Sequence, residues 1–199
     1  MIGGTTMRIC VYGAASPTID PEFIRKTEEM GAELAKRGHS MVFGGGANGL
    51  MGAAARGVRS GGGHIIGVIP KFFDQEKVEA IYHVADEIYM PDTMRQRKQI
   101  MEDYADAFIM VPGGIGTFEE FFEILTLKQL CRHNKPIAIF NLDNYFAELL
   151  HMMQVSMDKN FIRETVDELY FVTDNVNELF AYLETPVAED RNVHDYKEG

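Results

Sequence analysis

Short apolar runs alternate with amphipathic stretches along almost the whole of this chain. The runs at residues 8–12, 40–43, 64–71, 107–111 and 136–140 are rich in β-branched and aromatic side chains, as buried strands are. Two shorter runs, near 87–90 and 169–172, extend the series. Between them, residues 21–37, 93–104, 118–130, 145–159 and 176–183 read as helices. In the first of these Phe23, Met30 and Leu34 mark the apolar stripe, and Gly38 supplies the stop. Residues 72–84 follow neither period and are expected to form a surface excursion with a short helix. Strand-helix units repeated in this way predict an α/β fold: a single doubly wound parallel sheet with helices on both faces. Ligands of such sheets sit beyond the carboxyl ends of the strands, so the turns there carry the candidate chemistry.

The richest turn follows the run at 107–111 and reads Pro112, Gly113, Gly114, Ile115, Gly116, Thr117, Phe118, Glu119, Glu120. Three glycines in four residues leave no Cβ in the way and allow φ > 0, so successive N–H groups can converge on one anion. The first turn of the following helix adds unpaired donors and its positive dipole end. A phosphate cradle with a catalytic acid, Glu120, is the reading this favours. A capping box competes with it, in which Thr117 bonds the amide of Glu120 and the Glu120 carboxylate reaches back. Capping explains neither the three glycines nor Glu119 beside Glu120.

A second turn follows residues 40–43. Gly44 to Gly49 fit G-x-G-x-x-G between a strand and a helix, but no acidic residue stands about 20 positions on to bind a ribose. Gly45, Gly46 and Asn48 are therefore candidate phosphate or ribose contacts, with close helix-to-strand packing as the even alternative. Gly13 opens a third small-residue turn, with Ala14, Ala15 and Ser16. Farther on, Arg95, Arg97 and Lys98 crowd a helix start, against its dipole. A bound anion gives Arg97 and Lys98 a reason to be there; Arg95 reads as solvated.

Composition narrows the partners. Nineteen Lys and Arg against 30 Asp and Glu give a net charge of −11, which repels nucleic acid and anionic membranes. Cys10 and Cys131 form no C-x-x-C and read as core residues, and no apolar run approaches a membrane span. A soluble cytoplasmic protein is expected, with one domain over residues 7–183 and fraying ends at 1–6 and 184–199. The six histidines show no metal-ligand spacing, and neither metal nor cofactor is expected.

Three motifs taken together, Gly44-Gly45-Gly46-x-x-Gly49-Leu50-Met51-Gly52, Met94-x-x-Arg97-Lys98 and Pro112-Gly113-Gly114-x-Gly116-Thr117-x-x-Glu120, resemble the LONELY GUY family. These are cytokinin riboside 5′-monophosphate phosphoribohydrolases, often mislabelled lysine decarboxylases. The resemblance runs over residues 8–183. It implies a Rossmann-like homodimer that splits the N-glycosidic bond of adenine-type nucleoside monophosphates, releasing base and ribose 5-phosphate. Arg97 and Glu120 match the catalytic pair. The expected substrate contacts are Gly13, Gly45, Gly46, Asn48, Arg97, Lys98, Gly113, Gly114, Ile115, Gly116, Thr117, Phe118 and Glu119. Two departures bear on base preference: Gly13 is followed by Ala14 and Ala15 where the family commonly has a glycine-serine turn, and Phe72 stands where many members carry an acid. A non-catalytic nucleotide-binding or molybdenum-cofactor carrier is the alternative, but it needs no Arg97 and Glu120 pair. A decarboxylase would need a Schiff-base lysine and a pyridoxal phosphate site, for which no residue arrangement argues.

Overall fold

The computed structural model describes residues 6–187 and 192–197. Seven strands, β1 (Arg8–Tyr12), β2 (Ser40–Phe43), β3 (Ile65–Val68), β4 (Glu87–Tyr89), β5 (Ala107–Met110), β6 (Ile137–Phe140) and β7 (Phe171–Thr173), form one sheet in the order β4-β3-β2-β1-β5-β6-β7. Every pairing is parallel. Helices α1 (Pro21–Lys36) and α2 (Gly49–Ser60) cover one face together with α7 (Val176–Leu183). The other face packs against α4 (Met94–Tyr104), α5 (Ile115–Gln129) and α6 (Ala147–Asp158), while α3 (Lys71–Gln75) is a short excursion after β3. Along β1 the side chains alternate between the two cores, Ile9 and Val11 to one and Cys10 and Tyr12 to the other. Burial on both faces is why the strands read as unbroken apolar runs.

The strand order sets the place of the site. From β1 the chain adds β2, β3 and β4 on one side, then returns to lay β5 on the other side of β1. The β1–β5 gap is thus the switch point, where the following loops diverge and leave a crevice. Ala14 N–H donates to Pro112 O at 3.1 Å across it, tying the two loops together.

Some element boundaries differ from the sequence reading, each for a local reason. Helix α5 begins at Ile115 rather than 118, because Phe118 N–H already bonds Gly114 O at 3.0 Å. After β6, Asp143 and Asn144 take φ of 49° and 54° in a 3-10 turn, which delays α6 to Ala147. Within the tail expected to fray, α8 (His194–Lys197) buries Tyr196, whose carbonyl accepts from Gln129 Nε2 at 2.9 Å. The rest of that expectation, at residues 1–5, 188–191 and 198–199, lies outside the described residues.

Candidate active site

At the switch point a cavity of about 380 Å³ is walled by the turn after β1 (Gly13, Ala14, Ala15, Ser16), the start of α5 (Gly114, Gly116, Thr117, Glu120), Met94 and Arg97 of α4, Met51 of α2, and Phe73 and Glu79 from the excursion. A capping box does exist nearby, at the start of α4, where Thr93 accepts from Gln96 N–H at 3.2 Å. It fixes the first turn of α4, so that Arg97 points inward.

Arg97 is almost fully buried. Its Nη1 donates to Glu120 Oε1 at 3.1 Å and its Nε to Val68 O at 3.2 Å, which leaves Nη2 beside Gly44. A Cβ on Gly44 would lie 1.8 Å from Nη2, so that glycine is the seat of the guanidinium. Glu120 is only 8% exposed. Burial pushes its carboxyl up to about 7 from the usual range, and Arg97 opposes that shift without cancelling it. The pair therefore holds a carboxyl that changes protonation near neutral pH, as a group that takes up a proton during turnover should.

Three to five residues before Glu120 on the same helix, the N–H groups of Thr117, Gly116 and Ile115 precede the first intrahelical bond and have no acceptor among the described residues, and Gly116 and Thr117 line the cavity. Cβ atoms built on Gly114 and Gly116 meet nothing within 4 Å, so both glycines border open space. Their backbones, and that of Gly113, do not take positive φ, contrary to the expectation for this turn. What the glycines provide is room: a Cβ on Gly113 would lie 2.1 Å from Thr117 Oγ1. Thr117 is the third residue inside α5, so it cannot cap Glu120, and the capping-box alternative is ruled out.

A family model described as "Possible lysine decarboxylase" matches residues 51–183. The cytokinin riboside 5′-monophosphate phosphoribohydrolase of Mycobacterium tuberculosis is 42% identical over 170 residues, covering 85% of this chain and 89% of that protein. An Arabidopsis thaliana protein of the same name is 37% identical over 177 residues, covering 89% of this chain and 81% of its own.

The chain belongs to the LONELY GUY family.

Solved structures of the molybdenum cofactor binding protein of Rippkaea orientalis (TM-score 0.68, 20% identity, 91% of this chain and 99% of that one) and of the Chlamydomonas Moco carrier protein (0.63, 20%, 89% and 95%) share its fold. At that identity the likeness speaks for fold alone.

The three motifs that carry the LONELY GUY resemblance converge from β2, α4 and α5, but not every residue expected at the substrate reaches the cavity. Lys98 sits one position past Arg97 and points the other way. It pairs with Glu119, and with Glu123 at 2.8 Å, so helix-to-helix ion pairs account for both Lys98 and Glu119 without a ligand. Phe118 packs edge-on against Phe146, and the Ile115 side chain is 87% exposed. Neither residue lines the cavity. The turn after β2 answers to packing: Gly45, at φ 82°, leaves room for Ile69, Gly46 for Met51, and Asn48 is exposed as the N-cap of α2. Gly13 lines the cavity and is held against Val111, whose Cγ2 a Cβ would meet at 2.4 Å. Sequence reasoning missed Met51, Phe73, Glu79 and Met94 as wall residues. Phe73 and Glu79 fall in a stretch without periodicity; the signal for Met94 was its place at the start of the motif that holds Arg97.

Proposed function

We propose that this chain hydrolyses the N-glycosidic bond of adenosine 5′-monophosphates, N6-substituted ones included, to free base and ribose 5-phosphate, and so activates cytokinins. The observation that carries this reading is the buried Arg97–Glu120 ion pair one turn beyond an open helix N-terminus. The amides of residues 115–117 and the α5 dipole suit a 5′-phosphate. A nucleotide anchored there lays its ribose across Glu120. As the bond to the base breaks, the sugar gains oxocarbenium character, which a carboxylate at that place stabilises while it accepts a proton from the attacking water. Arg97 holds Glu120 in position and contributes positive charge beside the substrate.

The reading includes a homodimer, supported by exposed apolar side chains beside the site, Ile115, Met94 and Phe122, and a cytoplasmic location. No helix among the described residues is long and apolar enough to cross a membrane. Sedimentation at micromolar concentration tests the dimer; an active monomer would end that part of the reading.

Incubation with AMP and with an N6-prenylated AMP, followed by chromatography for free base, tests the activity. Adenosine should have a kcat/KM lower than AMP by roughly 100-fold, the worth of about two charge-assisted hydrogen bonds. Equal values for the two would remove the phosphate role of α5.

A further inference from the structure

One carboxylate in the cavity wall takes no part in the chemistry above. Glu79 lies between α3 and β4, and its segment is pinned to the turn after β2: Ala47 N–H donates to Ala80 O at 2.7 Å and Tyr82 N–H to Gly45 O at 2.8 Å. The pinning holds the carboxylate against Gly46, where a built Cβ would stand 3.5 Å from Glu79 Cδ. From there it faces the cavity with Arg97, Phe73 and Met94. Among the described residues no hydrogen bond or ion pair engages its side chain. A half-buried carboxyl held in place with no protein partner leaves its acceptors to water or to a ligand.

Its position fits one need of the reaction. Glu120 pairs with Arg97, whose guanidinium carbon lies 5.8 Å from the Phe73 ring centroid, and Glu79 shares the cavity wall with all three and with Thr117. A nucleotide with its phosphate on α5 and its C1′ at Glu120 has its base at Phe73, Met94 and Glu79. A departing purine anion is a poor leaving group, whereas a purine protonated on the ring departs neutral. Arg97 cannot give up a proton at working pH, and Glu120 serves the sugar.

Resting on the reading of the preceding subsection, we propose that Glu79 is the general acid that protonates the leaving base. As the C1′–N9 bond breaks, its electron pair passes to the purine and the Glu79 carboxyl proton moves to N7. Water oxygen bonds to C1′ and gives its proton to the Glu120 carboxylate, so the products are neutral base and ribose 5-phosphate. Both carboxyls then exchange protons with solvent, the one gaining and the other losing. Glu79 has a route for this, because it also borders a surface cleft shared with Asp74, Lys77 and His83. Burial raises its pKa, with Arg97 opposing, which favours the protonated form this role requires.

The test compares Glu79→Gln with wild type on AMP and on p-nitrophenyl β-D-ribofuranoside 5-phosphate, whose leaving group departs without a proton. Glutamine preserves shape, and an unchanged melting temperature verifies the fold. The variant should lose roughly 100-fold in kcat on AMP and no more than about threefold on the aryl substrate. Glu120→Gln should fall on both. Equal losses of Glu79→Gln on the two substrates, or no loss on AMP, overturn the assignment while leaving the activity itself intact. A wild type inert toward AMP and its N6-prenylated form overturns the parent reading instead.

Discussion

Two glycine-rich turns of similar appearance sit at the carboxyl ends of β2 and β5, and the protein uses them in opposite ways. In the β2 turn each missing Cβ is replaced by protein: Gly44 by the Arg97 guanidinium, Gly45 by Ile69, Gly49 by Ala14 O and Gly52 by Ala47 O. In the β5 turn, Gly114 and Gly116 border empty space in front of unpaired amides. The first turn seats the Arg97 guanidinium. The second is a cradle. A G-x-G-x-x-G pattern after a strand thus reports that backbone must approach something closely, without saying whether that something is protein or ligand.

Four substitutions or conditions test this contrast. The largest effect belongs to Glu120, which the cradle places: Glu120→Gln should lower kcat by roughly 100-fold or more while AMP still binds, since the amides are untouched. Kinetics and a dissociation constant on one preparation decide it, and near-normal turnover would demote Glu120. Where α2 packs on the β2 turn, Gly52→Ala should cost about 2 kcal/mol of stability, because its Cβ would stand 1.9 Å from Ala47 O, a backbone atom that cannot swing aside. Denaturant unfolding measures that loss. In the cradle the opposite outcome is expected. Gly116→Ala should gain several tenths of a kcal/mol, alanine being the better helix former, yet raise KM for AMP by about tenfold as its methyl enters the phosphate space. A destabilised Gly116→Ala with unchanged KM would erase the distinction between the turns.

The smallest effect is one of pH. With the Glu120 carboxyl at about 7, the ionised fraction, and with it kcat on the aryl substrate that needs no proton from Glu79, should rise by about threefold between pH 6.5 and 7.5. Stability moves the other way. The folded carboxyl binds its proton more tightly than the unfolded one, whose ordinary value is 4.5, so its contribution is full below that value and is lost as pH rises through about 7. Glu120→Gln should therefore gain in melting temperature relative to wild type across that interval, and parallel melting curves would contradict the burial of the charge.

Much of this molecule was legible in one dimension. Strands buried on two faces must be apolar along their whole length, and helices buried on one face must repeat at 3.6 residues. The α/β order, the turns at the carboxyl ends of the strands, and the association of Arg97 with Glu120 all follow from the local pattern together with the family resemblance it carries. Three-dimensional packing decided the rest. Whether Thr117 caps Glu120 depended on where α5 begins, and the bond from Phe118 to Gly114 settled that against the cap. That Lys98 turns from the cavity to Glu119 and Glu123 depended on how α4 meets α5. Glu79 lies in a stretch without period, and only its pinning to the β2 turn brings it beside Arg97. The reason is the same in each case: sequence periodicity records which face of an element is buried, while contacts between distant elements, and the burial that raises the Glu120 pKa, exist only once the sheet order has brought them together.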